Sequence, residues 1–336
     1  MRKFILRRLL LGVIVLFGVA LITFFVARVV PSDPAAKWAG PRATPEQIAK
    51  ARLELGLDKP LIVQFGKYLV DLVSGNLGYS LRTHRPVTLE LMESLPATVE
   101  LVLISTFAAV FVGIPLGVIS AKQKDRLVDH LSRLFSIGVV SLPTFWIGLI
   151  LQLVFFRMLG LFPMGGQLST EIKITMEIPR ITGFLMLDSL ITGNFRIFVD
   201  ALWHLVLPGI TIGLYPVGLV ARMTRSALLE ILSEDYITAA RSYGLKERVV
   251  LWSYALKNSI GPTSTVVALS IGYTLVNTFL TESIFTWPGI GSYIATAVIG
   301  LDYPAIMGVT IFSAFSYVIL NLIADIIIAL DPRVRT

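Results

Sequence analysis

The sequence predicts an all-α integral membrane protein with six transmembrane helices and both termini on the cytoplasmic side. Three observations carry that prediction. Only 15% of the 336 residues are charged and 55% are hydrophobic, whereas soluble domains carry about 25% charged residues. Six uncharged runs of 19 to 24 residues recur along the chain, matching the ~20 apolar residues that a helix needs to cross about 30 Å of hydrocarbon. Lys and Arg gather between alternate runs, which is how cytoplasmic loops are marked. Helices are expected because a helix satisfies its backbone polar groups within one segment. The absence of cysteine excludes disulfides and Cys-ligated metals. A formal charge of +7 could suggest nucleic acid, but the basic residues lie where they would orient a membrane protein, so no nucleic-acid role is expected.

Residues 1–30 read as the first transmembrane anchor, with a span at 9–27 preceded by Arg2, Lys3, Arg7 and Arg8. Its apolar core exceeds the roughly 7–15 residues of a signal peptide and no A-x-A site follows, so it is expected to remain uncleaved. Residues 31–96 read as an extracytoplasmic segment with short helices. In "TPEQIAKARLELG", Thr44 is placed to cap, Pro45 fits the first helical position and Gln47 completes a capping box. Glu46–Lys50 and Lys50–Glu54 are i,i+4 pairs, and Gly56 is placed to end the helix. A second helix, 60–74, aligns Leu61, Phe65, Leu69 and Leu72 and is followed by Gly75.

Residues 97–336 read as a five-span core, with runs at 101–121, 134–156, 201–221, 258–281 and 303–324. Gly113, Pro115 and Gly117 are candidate kink points in the second span, Pro143 in the third, and Pro208 and Pro216 in the fourth. Lys122, Lys124, Arg126 and Arg133 crowd the link between spans two and three. Arg222, Arg225, Arg241, Lys246, Arg248 and Lys257 fill the link at 222–257, and Arg333 and Arg335 follow span six. With six crossings all of these fall inside. The 157–203 link falls outside and holds an apolar island at 183–188. The 283–301 stretch is uncharged, but "TWPGIGS" breaks it, so it reads as a re-entrant or surface-lying segment rather than a seventh crossing.

Catalytic signatures are absent from the sequence. His84, His130 and His204 are scattered, with no HExxH spacing, no G-x-S-x-G and no Walker A motif. No metal site, bound cofactor or catalytic residue is expected. Arg28, Glu100 and Glu282 fall near outer span ends and Asp325 near an inner one. An ion-coupled carrier needs an ionisable group at mid-depth, and a membrane enzyme needs a clustered catalytic set; neither pattern is present.

The inner 222–257 link carries a different signal. Tyr236, Ala240 and Tyr243 share one helical face, and Ala239 and Ala240 leave room for another backbone. Gly244 is placed to turn the chain, and "LKERVVLWSYALKN" then returns toward span five. A helix–Gly–helix hairpin suits docking into a soluble partner, although many such loops are simply solvated.

The stretch "RMTRSALLEILSEDYITAARSYGLKERVVLWSYALKNSIGP" resembles the cytoplasmic loop of ABC-importer permeases, specifically the dipeptide/oligopeptide branch. Thr238, Ala239, Ala240 and Gly244 occupy the places of the general E-A-A-x-x-x-G motif. Thr238 departs from its glutamate, and Glu234, Asp235 and Tyr236 with Arg241 resemble the peptide-branch version. Further stretches are similar: "ILRRLLLGVIVLFGVALITFFVARVVPSDP", "LGLDKPLIVQFGKYLVDLVSGNLGYSL", "SLPTFWIGLIL", "GFLMLDSLI", "TESIFTWPGIGSYIATAVIGLDYP" and "DPRVR". The resemblance therefore runs nearly end to end.

It implies a permease in a bacterial or archaeal cytoplasmic membrane, forming half of a path for di- or oligopeptides. Relatives in this branch also carry nickel or oligosaccharides. Expected partners are a second, related permease, two cytoplasmic ATPase subunits that bind the ATP and Mg, an extracytoplasmic substrate-binding protein, and the lipid bilayer. The 222–257 link becomes a coupling-helix loop, with Glu234, Asp235, Tyr236, Ala239, Ala240, Arg241 and Gly244 as its ATPase contact. Trp287, Pro288, Gly289 and Gly291 are candidates for a segment at the outer mouth of the path.

Overall fold

The computed structural model describes residues 2–29, 33–40 and 42–330. Arg333, Arg335 and the "DPRVR" tail, together with residues 30–32 at the exit of the first span, lie outside the described residues. Within them the regular structure is helical, apart from an antiparallel bridge between Tyr79 and Pro86.

The first helix, α1 (Arg2–Val29), is followed by α2 (Pro34–Ala39), α3 (Pro45–Glu54) and α4 (Leu61–Val73). The start of α3 follows its sequence signal: Gln47 N donates to Thr44 Oγ1 at 3.3 Å and Thr44 N donates to Gln47 Oε1 at 2.9 Å. The next helix, α5 (Val87–Ala108), runs through Pro96 and joins α6 (Ile114–Lys122) by a π-helical stretch at Ala109–Gly113. Pro115 lacks an N–H and its ring crowds the carbonyl four residues back, and the widened turn directly before it gives that ring room.

The expected third span is not one rod. Its two parts are α7 (Leu127–Ser141) and α8 (Thr144–Leu151), and the latter is continued by a π-helical stretch, Gln152–Met158. The axis bends by 106° between them. Leu142 is extended, with φ −88° and ψ 139°, because the Pro143 ring disfavours a helical residue before it. Two short helices follow, α9 (Thr170–Thr175) and α10 (Leu185–Ile191). Then comes α11 (Phe195–Ile231), whose 37 residues carry Pro208 and Pro216 without a break.

The remaining helices are α12 (Asp235–Ser242), α13 (Glu247–Val249), α14 (Leu256–Ile284), α15 (Ile290–Ile299) and α16 (Tyr303–Leu330). A π-helical stretch, Val250–Ala255, makes α13 and α14 continuous. Among the described residues, five helices are long and apolar enough to cross a membrane, and a sixth crossing results if the bent α7–α8 pair counts as one span. The 10 residues of α15 rise only about 15 Å, too short for a crossing.

The chain divides into two compact units, Met1–Pro96 with Pro288–Val318 and Ala97–Trp287 with Ile319–Thr336. In the first, α4 packs on α1 through rings: Phe65 lies 5.2 Å from Phe24 and 6.0 Å from Phe17. Val87, Leu91, Ile290, Ala297, Ala305 and Val309 form its buried apolar cluster. Asp302 is buried there and accepts hydrogen bonds from Ser80 Oγ at 2.5 Å, Leu81 N at 3.0 Å and Arg82 N at 3.2 Å, fixing the 79–86 turn.

In the second unit α11 is the central rod, packed by α6, α7, α8, α10 and α14. The contacts are close because the residues are small: a Cβ on Gly117 would lie 2.6 Å from the Ala221 carbonyl oxygen. The buried residues of α14 are Ser259, Thr263, Ser270, Gly272, Thr274, Thr278, Thr281 and Glu282, while Leu269, Val276 and Leu280 are exposed. That inversion is expected in lipid, where small and hydroxyl side chains rather than large apolar ones draw helices together. The apolar island expected at 183–188 folds around Asp188, which accepts hydrogen bonds from Ile181 N, Thr182 N, Thr182 Oγ1 and Gly183 N at 2.6–3.0 Å. Burial opposes its charge, but these four donors prevail and hold the carboxyl below its ordinary range.

Candidate functional site

The residues singled out between spans four and five fold into a compact elbow. Its first arm leaves α11 at Leu232, and Glu234 is extended, with φ −72° and ψ 147°, before α12 begins. Asp235 in the first turn of α12 and Arg241 in the last complement the helix dipole. The arm ends in a Schellman turn. Leu245 N donates to the Ala240 carbonyl at 3.3 Å and Gly244 N donates to the Arg241 carbonyl at 2.9 Å. Gly244 sits at φ +76°, a conformation that a residue with a Cβ adopts at a cost. Arg241 spans the turn, with Nε 3.3 Å and a terminal nitrogen 3.0 Å from the two carboxylate oxygens of Glu247.

The two sides of the elbow differ. Its inner side belongs to the protein's own core: Ile237 and Ala240 pack with Val250, Leu251 and Ala255, and with Leu228, Val118 and Ala121. Ala240 is only 5% exposed, so the small side chain that sequence reasoning placed in a docking contact instead lets α12 settle on that core. Glu234, Asp235, Tyr236, Ala239, Arg241 and Gly244 are exposed, and Tyr243 stands out at 87%. The structure thus gathers six of the seven singled-out residues on the outer surface of one hairpin. Thr238, in the place of the motif's glutamate, is exposed as well.

Two connections escaped the sequence reading. Asn258, in the first turns of α14, donates from Nδ2 to the Tyr236 hydroxyl at 3.1 Å, which ties the elbow to the following span. At the end of α11 nearer the elbow, Arg225 meets Asp129 of α7 in a two-point pair, Nε to Oδ1 at 2.6 Å and a terminal nitrogen to Oδ2 at 2.7 Å. The Asp129 side chain is fully buried, and it also accepts from Ser120 Oγ at 2.6 Å and Asp125 N at 2.9 Å. These bonds fasten the α6–α7 hairpin to α11, about two turns before the elbow starts. Asp129 and Arg225 are 96 residues apart, and the only local signal was an acid four residues before Arg133.

The second candidate segment is engaged differently. Trp287 is 1% exposed, packs with Ala97, Leu101, Leu205 and Ile212, and donates from Nε1 to the Ala97 carbonyl at 2.9 Å. Pro288 is exposed, Gly289 precedes α15 in an extended conformation, and Gly291 is buried.

Known proteins share this chain's sequence from end to end. Residues 1–102 match the N-terminal model of binding-protein-dependent transport system membrane components. Residues 113–336 match the model described as binding-protein-dependent transport system inner membrane component. The chain is 43% identical to the probable D,D-dipeptide transport system permease protein DdpB of Escherichia coli K12, over 96% of this chain and 94% of that one. It is 38% identical to the dipeptide transport system permease protein DppB of Alkalihalophilus pseudofirmus, over 100% of both chains. Identity to the oligopeptide transport system permease protein AppB of Bacillus subtilis is 35%, again over 100% of both. With two family models matched in succession and its length shared with such relatives, this multi-pass chain belongs to the family of binding-protein-dependent transport system inner membrane components.

Proposed function

We propose that the chain is one of two permease subunits of an ATP-driven peptide importer and contributes half of the translocation path. The observation that carries this reading is the full-length identity of 35–43% to permeases named for D,D-dipeptides, dipeptides and oligopeptides. Six crossings, with the bent α7–α8 pair as the third, put both termini and the elbow in the cytoplasm, in agreement with the Lys and Arg distribution. The elbow's exposed side, with Tyr236, Ala239, Arg241, Tyr243 and Gly244, meets an ATPase subunit that binds the ATP and Mg. Its inner side is packed on α6 and on the end of α11, so the elbow and the rods move together. Closure of the ATPases on ATP pushes the elbow, and the Tyr236–Asn258 bond and the Asp129–Arg225 clamp pass that displacement to α14, α11 and α7. This is rigid-body transmission through a docked element. A substrate-binding protein delivers peptide to the outer face.

The test is reconstitution in liposomes with the sister permease, both ATPases and the binding protein. Peptide uptake is expected only with ATP and all partners present. Uptake by the isolated chain, or an elbow modified by an impermeant reagent added from outside, would refute the reading.

A further inference from the structure

The exposed face of α14 carries polar groups where lipid gives them nothing to bond. Tyr273 and Asn277 stand one turn apart on it, among Leu269, Val276 and Leu280, and beside the buried hydroxyl face. At a rise of about 1.5 Å per residue, Tyr273 lies about 24 Å along the helix from Lys257 and about 14 Å from Glu282, well inside the hydrocarbon. Asn277 donates one amide hydrogen to the Tyr273 carbonyl at 2.8 Å, and the residue is exposed. A carboxamide facing hydrocarbon with its bonds unmade is costly. Tyr215 of α11 stacks on Tyr273 with centroids 4.5 Å apart and planes at 22°, which holds the ring in place.

We infer that Tyr215, Tyr273 and Asn277 line a water-accessible strip of the translocation path and that Asn277 hydrogen-bonds the main chain of the passing peptide; this rests on the importer reading. The chemistry fits that ligand. A carboxamide both donates and accepts, as a peptide bond requires. The aromatic faces carry no charge, so they offer a passing side chain of either sign no ionic trap.

Because the chain contains no cysteine, single cysteines report on this without background from it. Asn277→Cys and Tyr273→Cys are placed in the assembled transporter, with Ile14→Cys, on the exposed face of α1, as the lipid-facing reference. A charged, membrane-impermeant thiol reagent is applied and its adduct read by mass on this chain. Modification at 277 and 273 at least ten-fold faster than at 14, slowed by excess dipeptide, is the expected result. Rates equal to that at 14 overturn the inference, as does a cysteine at 277 that crosslinks to the sister permease while staying closed to the reagent. Fast modification that dipeptide does not slow overturns the main-chain role. ATP-driven uptake by the unsubstituted assembly separates the two levels. Uptake without modification sinks this inference alone, and modification without uptake sinks the importer reading and the peptide ligand with it.

Discussion

Two segments share a sequence signature, aromatic residues beside glycine: 236–244 in the elbow and 287–291 at the entry to α15. Their side chains have opposite fates. Trp287 is enclosed, and its N–H is satisfied by the Ala97 carbonyl. Tyr243 is almost wholly exposed, and its helix is anchored by Ile237 and Ala240 instead. An aromatic residue next to a glycine therefore says that the chain turns and that a ring is nearby; it does not say whether the ring holds the fold or meets a partner. What distinguishes the elbow is a packed inner face under an exposed outer one, which suits the force transmission proposed above.

The sharpest test of this contrast is Trp287→Ala. Loss of an enclosed ring costs about 3–5 kcal/mol, seen as a large drop in the thermal midpoint of the purified protein in detergent; a change under about 1 kcal/mol would erase the distinction. Asp129→Ala comes next, at about 3 kcal/mol, because it strands the Arg225 guanidinium. The double variant with Arg225→Met should recover part of that loss, and full additivity would show that the pair is not coupled.

Asp188→Asn tests a committed side chain by pH. The folded carboxyl titrates below its ordinary value, so its stabilisation is complete above the unfolded pKa of about 4 and is lost as pH falls through the lower folded value. The stability gap between wild type and Asp188→Asn should thus be widest near neutrality and close in acid. Gly244→Ala should cost about 1 kcal/mol for a Cβ at positive φ. Tyr243→Ala should change stability by less than about 0.5 kcal/mol yet sharply reduce ATP-driven uptake in the reconstituted assembly. If uptake is unchanged, the elbow's outer face is not the contact. Ala240→Arg is less informative, because it forces a cation into the elbow's own core.

Local signals were legible in the sequence. Thr44 and Gln47 predicted the start of α3, Gly244 predicted the turn, and Pro143 predicted a kink, because each acts on backbone within a few residues. The size of the Pro143 bend was not legible, since packing decides how far a broken rod swings. Nor was the length of α11. Arg196, Asp200, Arg222 and Arg225 read as loop residues by charge, yet they continue the helix beyond the apolar run at both ends. The Asp129–Arg225 clamp was invisible because its partners are distant in sequence, and each alone looks like an ordinary inner-face charge. The motif pointed to residues that the fold leaves exposed on the elbow and also to Ala240, which is buried, because small residues serve close approach from either side.

The wide turn at Val250–Ala255 sets the phase between the elbow and the rod it feeds. One surplus residue in that turn rotates everything before it by about 100° relative to a regular helix. Regular winding with the same residues would point the elbow at a different quarter of the compass, and deleting one residue as the winding is restored would turn it back. The direction in which the elbow faces thus depends on the winding of a single turn, independently of which side chains that turn carries.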